Sequence, residues 1–353
     1  MNSRGISRTL MVVILAAILI VGALGAIAYY YWPKEQAKDE FQVGIVLYGH
    51  RDLGSWDPTM AEGITDLVAQ DLPIKAVYSE EVQIIDAEDV LRSRAAVDDL
   101  VYVTTYIYQD ATLKVAEEFP NVPFILQQDV YTTALDLYNS GDLPSNVLLF
   151  SNEQTFVQSL YVQGLCAGAT TQTNKVGFVL VDNSPGSAAQ YNAVRKGLFT
   201  VNPNIETPYV IIGTWSDPIA SRDAVATLFG SGCDIIYNGM DDEAADEEAL
   251  NKGIQSMHVY RDVRSTYPTS IQSVNDWELA GYLKGPVQAV IDGTWKQYWA
   301  TSGIGQVTFA NGGVDVLYGS MVPQSVIDYC NAAKTSIING QLTLEYDLEW
   351  PTE

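Results

Sequence analysis

The residues of this chain best placed to do chemistry are not nucleophiles. Only two histidines are present, His50 and His258, and no GxSxG elbow accompanies them. A histidine-rich metal site is not indicated either. The three cysteines, Cys166, Cys233 and Cys330, form no CxxC and lie in apolar or helical contexts. Buried free thiols are the expectation, because two can pair only where the fold brings their backbones together. What stands out is a recognition pattern. GSWDP from Gly54 sets one large aromatic, Trp56, among Asp52, Ser55 and Asp57, and GTWSDP from Gly213 echoes it around Trp215. A loop tryptophan can be a stacking platform at a ligand cleft. It can equally pack under its own loop, with each aspartate capping a local turn.

Strands and helices must hold these loops in place. Residues 43–48 are a short apolar run with β-branched members, the pattern of a buried parallel strand. Residues 49–58 are rich in Gly, Asp, Ser and Pro and read as loop. From Thr59 onward, Met60, Ile64, Leu67 and Val68 follow helical spacing. Strand, polar loop, helix places the loop at the carboxyl edge of an open α/β sheet, where such folds bind ligands. Strands at 74–78, 100–105 and 122–126 alternate with helices at 87–99 and 111–119, which predicts a parallel sheet with right-handed crossovers. Tyr106 follows the third strand in a further strand-to-helix loop. A second register starts at Phe150. It has an apolar helix over 154–170, a strand over 175–181, and further strands at 210–215, 233–238 and 257–260. GIVL at Gly44 and GFVL at Gly177 begin similar units, which suggests two related lobes.

A chain of 353 residues exceeds one ordinary core, so two domains are expected. The 19 basic and 43 acidic side chains leave a net charge of −24. That argues against nucleic acid and anionic lipid surfaces as partners. At the amino end, Arg4 and Arg8 precede an uncharged run from Leu10 to Tyr31. It is long enough to span a bilayer, with the arginines inside and Tyr29 to Trp32 as an outer aromatic belt. A cleaved signal peptide competes, since Ala26-Ile27-Ala28 is an AxA-like site; the length of the run favours a retained anchor. No cysteine follows it, so lipidation there is not expected. Residues 33–40 read as a tether.

In order and spacing, the chain resembles the basic membrane protein family of ABC-transporter solute receptors, the purine-nucleoside-receptor type. The matching pieces are DLGSWDPTMAEG from Asp52, YQDATLKVAEEFPNVPFI from Tyr108, SLYVQGLCAG from Ser159, KVGFVLV from Lys175 and VRKGLFTVNP from Val194. GTWSDPIASRDAVATLFGSGCDIIY from Gly213, DGTWKQYW from Asp292 and the closing helix ending in ING at Ile338 complete them. The resemblance covers residues 41–353.

It implies a type I periplasmic-binding-protein fold, two doubly wound parallel-sheet lobes with a hinge, preceded by the transmembrane helix. The expected division is 1–40 for anchor and tether, 41–149 plus 271–303 for the first lobe, and 150–270 plus 304–353 for the second. The chain would cross near 145–152, return near Ser270 and cross again near 301–313. The resemblance implies no enzyme and no cofactor or metal. It implies a solute-binding domain outside the membrane, a small planar solute and an ABC permease as partners. Such receptors hold a base between two aromatics, here Trp56 and Trp215. Asp52, Ser55, Asp57, Tyr106, Asn238 and Asp262 are then candidates to read its edge. The family's ribose-binding acid lies in a GVD-like run. HVYRD from His258 puts Tyr260 there, and SVNDWELAG from Ser273 supplies no lysine before Lys284. A free purine base, or another flat heterocycle, fits better than a nucleoside. A membrane-anchored sensory receptor and a secreted nucleoside hydrolase are the alternatives.

Overall fold

Apolar runs alternating with one-sided helices build two sheets, one after the other along the chain. The computed structural model describes residues 40–302 and 304–351. The first sheet contains β1 (Phe41–Val46), β2 (Ile74–Ser79), β3 (Leu100–Val103), β4 (Phe124–Gln128), β5 (Val147–Ser151) and β11 (Gly305–Gln306). Their spatial order is β11-β5-β4-β3-β1-β2. The second contains β6 (Val176–Leu180), β7 (Tyr209–Ile211), β8 (Ile235–Asn238), β9 (Gln255–Tyr260), β10 (Ile271–Asp276) and β12 (Asp315–Tyr318), in the order β12-β10-β9-β8-β6-β7. All pairs are parallel except β10 with β12. The two orders correspond position by position, so the second sheet repeats the first.

Helices follow the strands: α1 (Trp56–Ala69), α2 (Ala87–Ala95), α3 (Gln109–Glu118) and α4 (Tyr131–Ser140) in the first lobe. The second lobe has α5 (Glu153–Thr170), α6 (Pro185–Val201), α7 (Pro218–Gly230) and α8 (Ala244–Lys252). Helices α9 (Leu279–Ile291), α10 (Trp295–Ser302) and α11 (Gln324–Ile338) come last. Small residues in the long apolar helix set its spacing. A Cβ on Gly164 would stand 2.1 Å from the Val194 carbonyl oxygen, and one on Gly197 2.2 Å from that of Tyr161. Helices α5 and α6 therefore touch backbone to backbone. Cys166, Cys233 and Cys330 are buried and free.

The later crossings differ from the expected division. Ile271–Asp276, assigned from sequence to the first lobe, pairs with β9 and β12 in the second sheet. Its buried polar residues hide it as a core strand, and two of them, Gln272 and Ser273, are hydrogen-bonded with the neighbouring helix. Gln272 Nε2 donates to Thr170 Oγ1 at 2.6 Å and Gln163 Nε2 to Ser273 Oγ at 3.3 Å. The chain returns only after Asp276, because α9 packs on α1: a Cβ on Gly63 would stand 2.8 Å from Leu279 Cβ. Residues 305–306, assigned to the second lobe, pair with β5 in the first sheet.

Among the described residues no helix is long and apolar enough to cross a membrane. The run from Leu10 to Tyr31 lies outside them.

Candidate functional site between the lobes

Helix α1 starts at Trp56, with Ser55 in the N-cap position, yet the Ser55 hydroxyl caps nothing. The acceptor comes from the other sheet. Asp241, in the loop after β8, takes the Ser55 N–H at 2.7 Å and the Trp56 N–H at 2.6 Å on one oxygen, Oδ1. The first amides of a helix lack intrahelical partners, and negative charge is favoured there. Gly54 permits the approach. Its φ is +76°, and a Cβ would stand 3.0 Å from the Asp241 carbonyl oxygen. The Asp241 N–H donates to the Trp215 carbonyl at 2.9 Å. Burial lifts the Asp241 carboxyl above the usual range, opposed by the Trp56 and Ser55 amides.

From its place in the first turn, Trp56 enters a cluster of rings drawn from both lobes. Its centroid is 5.6 Å from those of Tyr260 and Trp277, edge-on in each case. Phe156, at the start of α5, lies 6.1 Å from Tyr260 and 5.1 Å from Trp277. Tyr260 ends β9 with φ +79°, a conformation that costs a bulky residue energy and is concentrated at functional positions. Trp277 occupies the crossing between β10 and α9. The lobes also meet at Arg261 and Glu62, 3.9 Å apart.

Several buried polar atoms at the strand ends and helix starts on this side of the lobes have no hydrogen-bond partner among the described residues. They are Ser55 Oγ, Asp57 Oδ1 and Thr59 Oγ1 at the start of α1, Gln128 Nε2 and Asn152 Nδ2 at the ends of β4 and β5, and Trp277 Nε1. Buried polar groups are nearly always paired, so these atoms are free to bond water or another molecule. The site is acidic. Burial pushes Asp57 up to about 6, helped by repulsion from Asp241 and Glu80 and opposed by the Gly49 and Tyr48 amides. Burial also pushes Asp129, just past β4, up to about 6 against a hydrogen bond from Gln127.

The structure brings Trp56, Ser55, Asp57 and Tyr260 together. Tyr106 lies in the turn after β3 and is partly exposed. Its N–H donates to Gln127 Oε1 at 3.1 Å, and its hydroxyl is raised by burial, then by Asp129 and Asp182. Trp215 is 54% exposed, and among the described residues it makes no direct ring pair with Trp56. Asn238 is committed internally. Its Nδ2 donates to the Asp242 carbonyl and to Asp246 Oδ2 at 2.9 and 2.7 Å, and its Oδ1 accepts from Met240 N–H. That fixes the loop carrying Asp241. Asp52 is exposed beside His50 and Arg51. Asp262 is bound to Arg264 at 2.8 Å, beside a surface pocket that Pro268 and Tyr318 also line. Sequence reasoning missed Asp241, Phe156, Asp129 and Trp277. Only Trp277 left a local signal, a large aromatic between two acids.

Two repeated α/β lobes joined by three crossings, with a ring cluster and unpaired polar atoms at their junction, define a hinged solute-binding protein. The chain belongs to the Bmp family: residues 41–293 match the model described as ABC transporter substrate-binding protein PnrA-like. Proteins of this family bind solutes and are not enzymes. A purine-binding protein of Brucella abortus is 28% identical over 74% of this chain and 71% of its own length. A putative ABC transporter glucose-binding protein of Haloferax volcanii is 26% identical over 76% of this chain and 65% of its own. A nucleoside-binding protein of Lactococcus lactis is 23% identical over 69% of this chain and 70% of its own. Among solved structures, an ABC-transporter solute-binding protein from Conexibacter woesei superposes with a TM-score of 0.72 at 22% identity. That match covers 87% of this chain and 99% of the other, and it shows the shared fold. Among the described residues no group of His, Cys, Asp and Glu is arranged to hold a metal ion.

Proposed function

We propose that this chain is the receptor of an ABC importer and closes its lobes on a planar heterocycle, a purine base in preference to its nucleoside. The observation that carries this is Trp56, held at the lobe junction against Tyr260 and Trp277 beside the unpaired Ser55, Asp57 and Thr59 oxygens. A ring platform with adjacent polar atoms is what a flat, edge-functional solute requires. Tyr260 stands where the family's ribose-binding acid would be and is 3% exposed, filling space that a sugar would need. The acidity of the site disfavours phosphorylated forms. Trp215 serves as a second platform that meets the solute from the mouth, with Tyr106 on the far lip. The lobes divide as 41–151, 279–302 and 305–306 against 153–276 and 315–338. The domain is held outside the membrane by residues 10–31. The purine and nucleoside relatives support this ligand class; the glucose-binding relative supplies the competing one. Calorimetry on the full chain with adenine, guanine, hypoxanthine, their nucleosides and glucose tests it. The bases should bind at least as tightly as the matching nucleosides. Nucleosides binding about a hundredfold tighter, roughly 2.7 kcal/mol, would contradict the base; glucose binding alone would remove the planar solute.

A further inference from the structure

The three thiols lie outside the site described above, and all are buried. They are not equivalent. Cys233, just before β8, sits with Val225, Leu228 and Ile236 in a core separate from that of the other two, and burial pushes its thiol up to about 11. Cys166 on α5 and Cys330 on α11 share the large core, and both are 0% exposed. Cys330 and Ile337 are the buried residues of α11, two turns apart and so on one face of that helix. Helix α11 packs on α5, and Cys330 meets it at the turn that carries Cys166. Its Sγ lies 3.9 Å from the carbonyl oxygen of Val162, which stands one helical turn before Cys166. There the two thiols touch through a hydrogen bond.

The contact is asymmetric. The hydrogen bond from Cys166 holds the Cys330 thiol below its ordinary range, against burial and with help from the Tyr318 hydroxyl. The same bond, then burial, pushes Cys166 well above its own range. One sulfur is disposed to be the thiolate and the other to keep its proton, the arrangement of an attacking and a resolving thiol. What the pair would join also matters. The second sheet is assembled from two pieces of chain. Strands β6 to β10 arrive in one visit and β12, followed by α11, in another; between the visits the chain pairs with the first sheet at β11. Cys166 belongs to the first piece and Cys330 to the second. A bond between them makes the second lobe covalently one body, whatever the crossings do. The ring it closes is long, and long loops gain most from a crosslink.

We propose that Cys166 and Cys330 are oxidised to a disulfide that staples α11 to α5. The oxidant is a low-molecular-weight disulfide. The Cys330 thiolate attacks one of its sulfurs and expels one thiolate, leaving a mixed disulfide on Cys330. Cys166 then gives up its proton and attacks the Cys330 sulfur, expelling the second. Each expelled thiolate takes a proton that a protein thiol has lost, so two protein thiols are oxidised and one small disulfide is reduced to two thiols. The oxidant reaches the pair while the chain folds, before α11 seats on α5. The position proposed above, outside the membrane, supplies such an oxidant, but the test depends neither on that position nor on the solute. The full chain, reduced and unfolded, is refolded in detergent with glutathione disulfide, alkylated in denaturant with iodoacetamide and digested. Most chains should carry the alkyl group at Cys233 alone and yield a peptide pair joined through Cys166 and Cys330 that parts on reduction. Alkylation at all three cysteines, glutathione left on Cys330, a bridge that includes Cys233, or bridges between chains would overturn the assignment. A second arm compares thermal melting of the chain refolded with and without the oxidant. The bridged form should melt about 5 °C higher. Cys330→Ala should abolish that difference and Cys233→Ala should keep it. Equal midpoints for the bridged and reduced parent would overturn the staple.

Discussion

Asp241 is the residue at which the closed arrangement can be tested most sharply. It reaches across the lobes to hold two amides of α1 at 2.7 and 2.6 Å, and no side chain of α1 can replace it, since the Ser55 hydroxyl makes no cap. With the lobes apart, water satisfies both amides and the carboxylate. With them together, Asp241→Ala leaves two N–H groups without an acceptor. Each such group costs about 1–3 kcal/mol when fully buried; at a cleft that water partly enters, about 2 kcal/mol for the pair is reasonable. The loss falls on closure, so affinity for the tightest-binding purine should weaken by about thirtyfold. Melting of the unliganded chain should barely change. Asp241→Asn behaves differently, because its carbonyl oxygen still accepts both amides and carries no charge. The titratable groups facing Asp241 are Asp57, Asp242 and His258, and burial is the largest cause of its raised pKa. A carboxyl whose pKa rises on closure takes up a proton as the lobes meet, so closure is favoured as pH falls. Asn should therefore bind at least as tightly as the parent at pH 8 and match it at pH 5, while Ala stays weak at both. Calorimetry at the two pH values, with small-angle scattering to follow closure, is the assay. An Ala variant within twofold of the parent, or an Asn variant as weak as Ala, would refute the latch.

Three further outcomes follow from geometry already described. Gly164→Ala should destabilise the fold by about 2–3 kcal/mol, read by urea denaturation, because its Cβ meets the backbone of α6 at 2.1 Å; unchanged stability would mean that α5 and α6 separate freely. Asp276 is raised to about 7 by burial, then by Glu278 and Asp262. Its folded form keeps a proton that the unfolded chain loses near pH 4, so stability falls as pH rises between about 4 and 7. Asp276→Asn should add about 2 kcal/mol at pH 8, after allowance for screening, and nothing at pH 4; an equal gain at both would exclude titration as the cause. Trp215→Ala should leave the melting temperature of the unliganded chain unchanged and weaken base binding by about 1–3 kcal/mol, and unaltered affinity would leave Trp56 as the sole platform.

Most of the architecture was legible because parallel strands buried on both faces write themselves as apolar runs. KVGFVLV from Lys175 and the stretch after Phe41 became β6 and β1 within a residue or two at their starts. The strand Ile271–Asp276 escaped because its burial is not apolar: Gln272, Ser273 and Asn275 are each buried. Hydrophobic pattern cannot distinguish a loop from a strand whose buried positions carry polar side chains. Residues 305–306 escaped for another reason, since two residues carry no periodicity at all. The candidate site was half legible. Trp56, Ser55 and Asp57 share one turn, so local sequence finds them. Asp241 is 185 residues from Trp56 along the chain, and Phe156 and Trp277 join it only through the crossings. No spacing rule reaches across a lobe junction.

The echo between GSWDP and GTWSDP is where sequence likeness and physical equivalence part. In the second motif the extra residue, Ser216, lets Asp217 fall at the N-cap, where it takes the Ile219 and Ala220 amides at 3.1 and 3.0 Å. Helix α7 then begins at Pro218 and is complete within its own lobe. Trp215 stays outside the helix and exposed. In the first motif the aspartate directly follows the tryptophan, so α1 begins at Trp56 with Asp57 inside its first turn. Asp57 cannot cap from there. Its carboxyl turns inward to the Tyr48 and Gly49 amides, and the open helix end is left for Asp241 to fill. One residue of spacing thus makes one lobe self-sufficient and leaves the other with a terminus that only its neighbour satisfies. The same shift carries Trp56 into the junction. A chain given the second motif's spacing, with Ser inserted between Trp56 and Asp57, should cap its own helix. It should then close less readily and bind purines more weakly, with its stability intact.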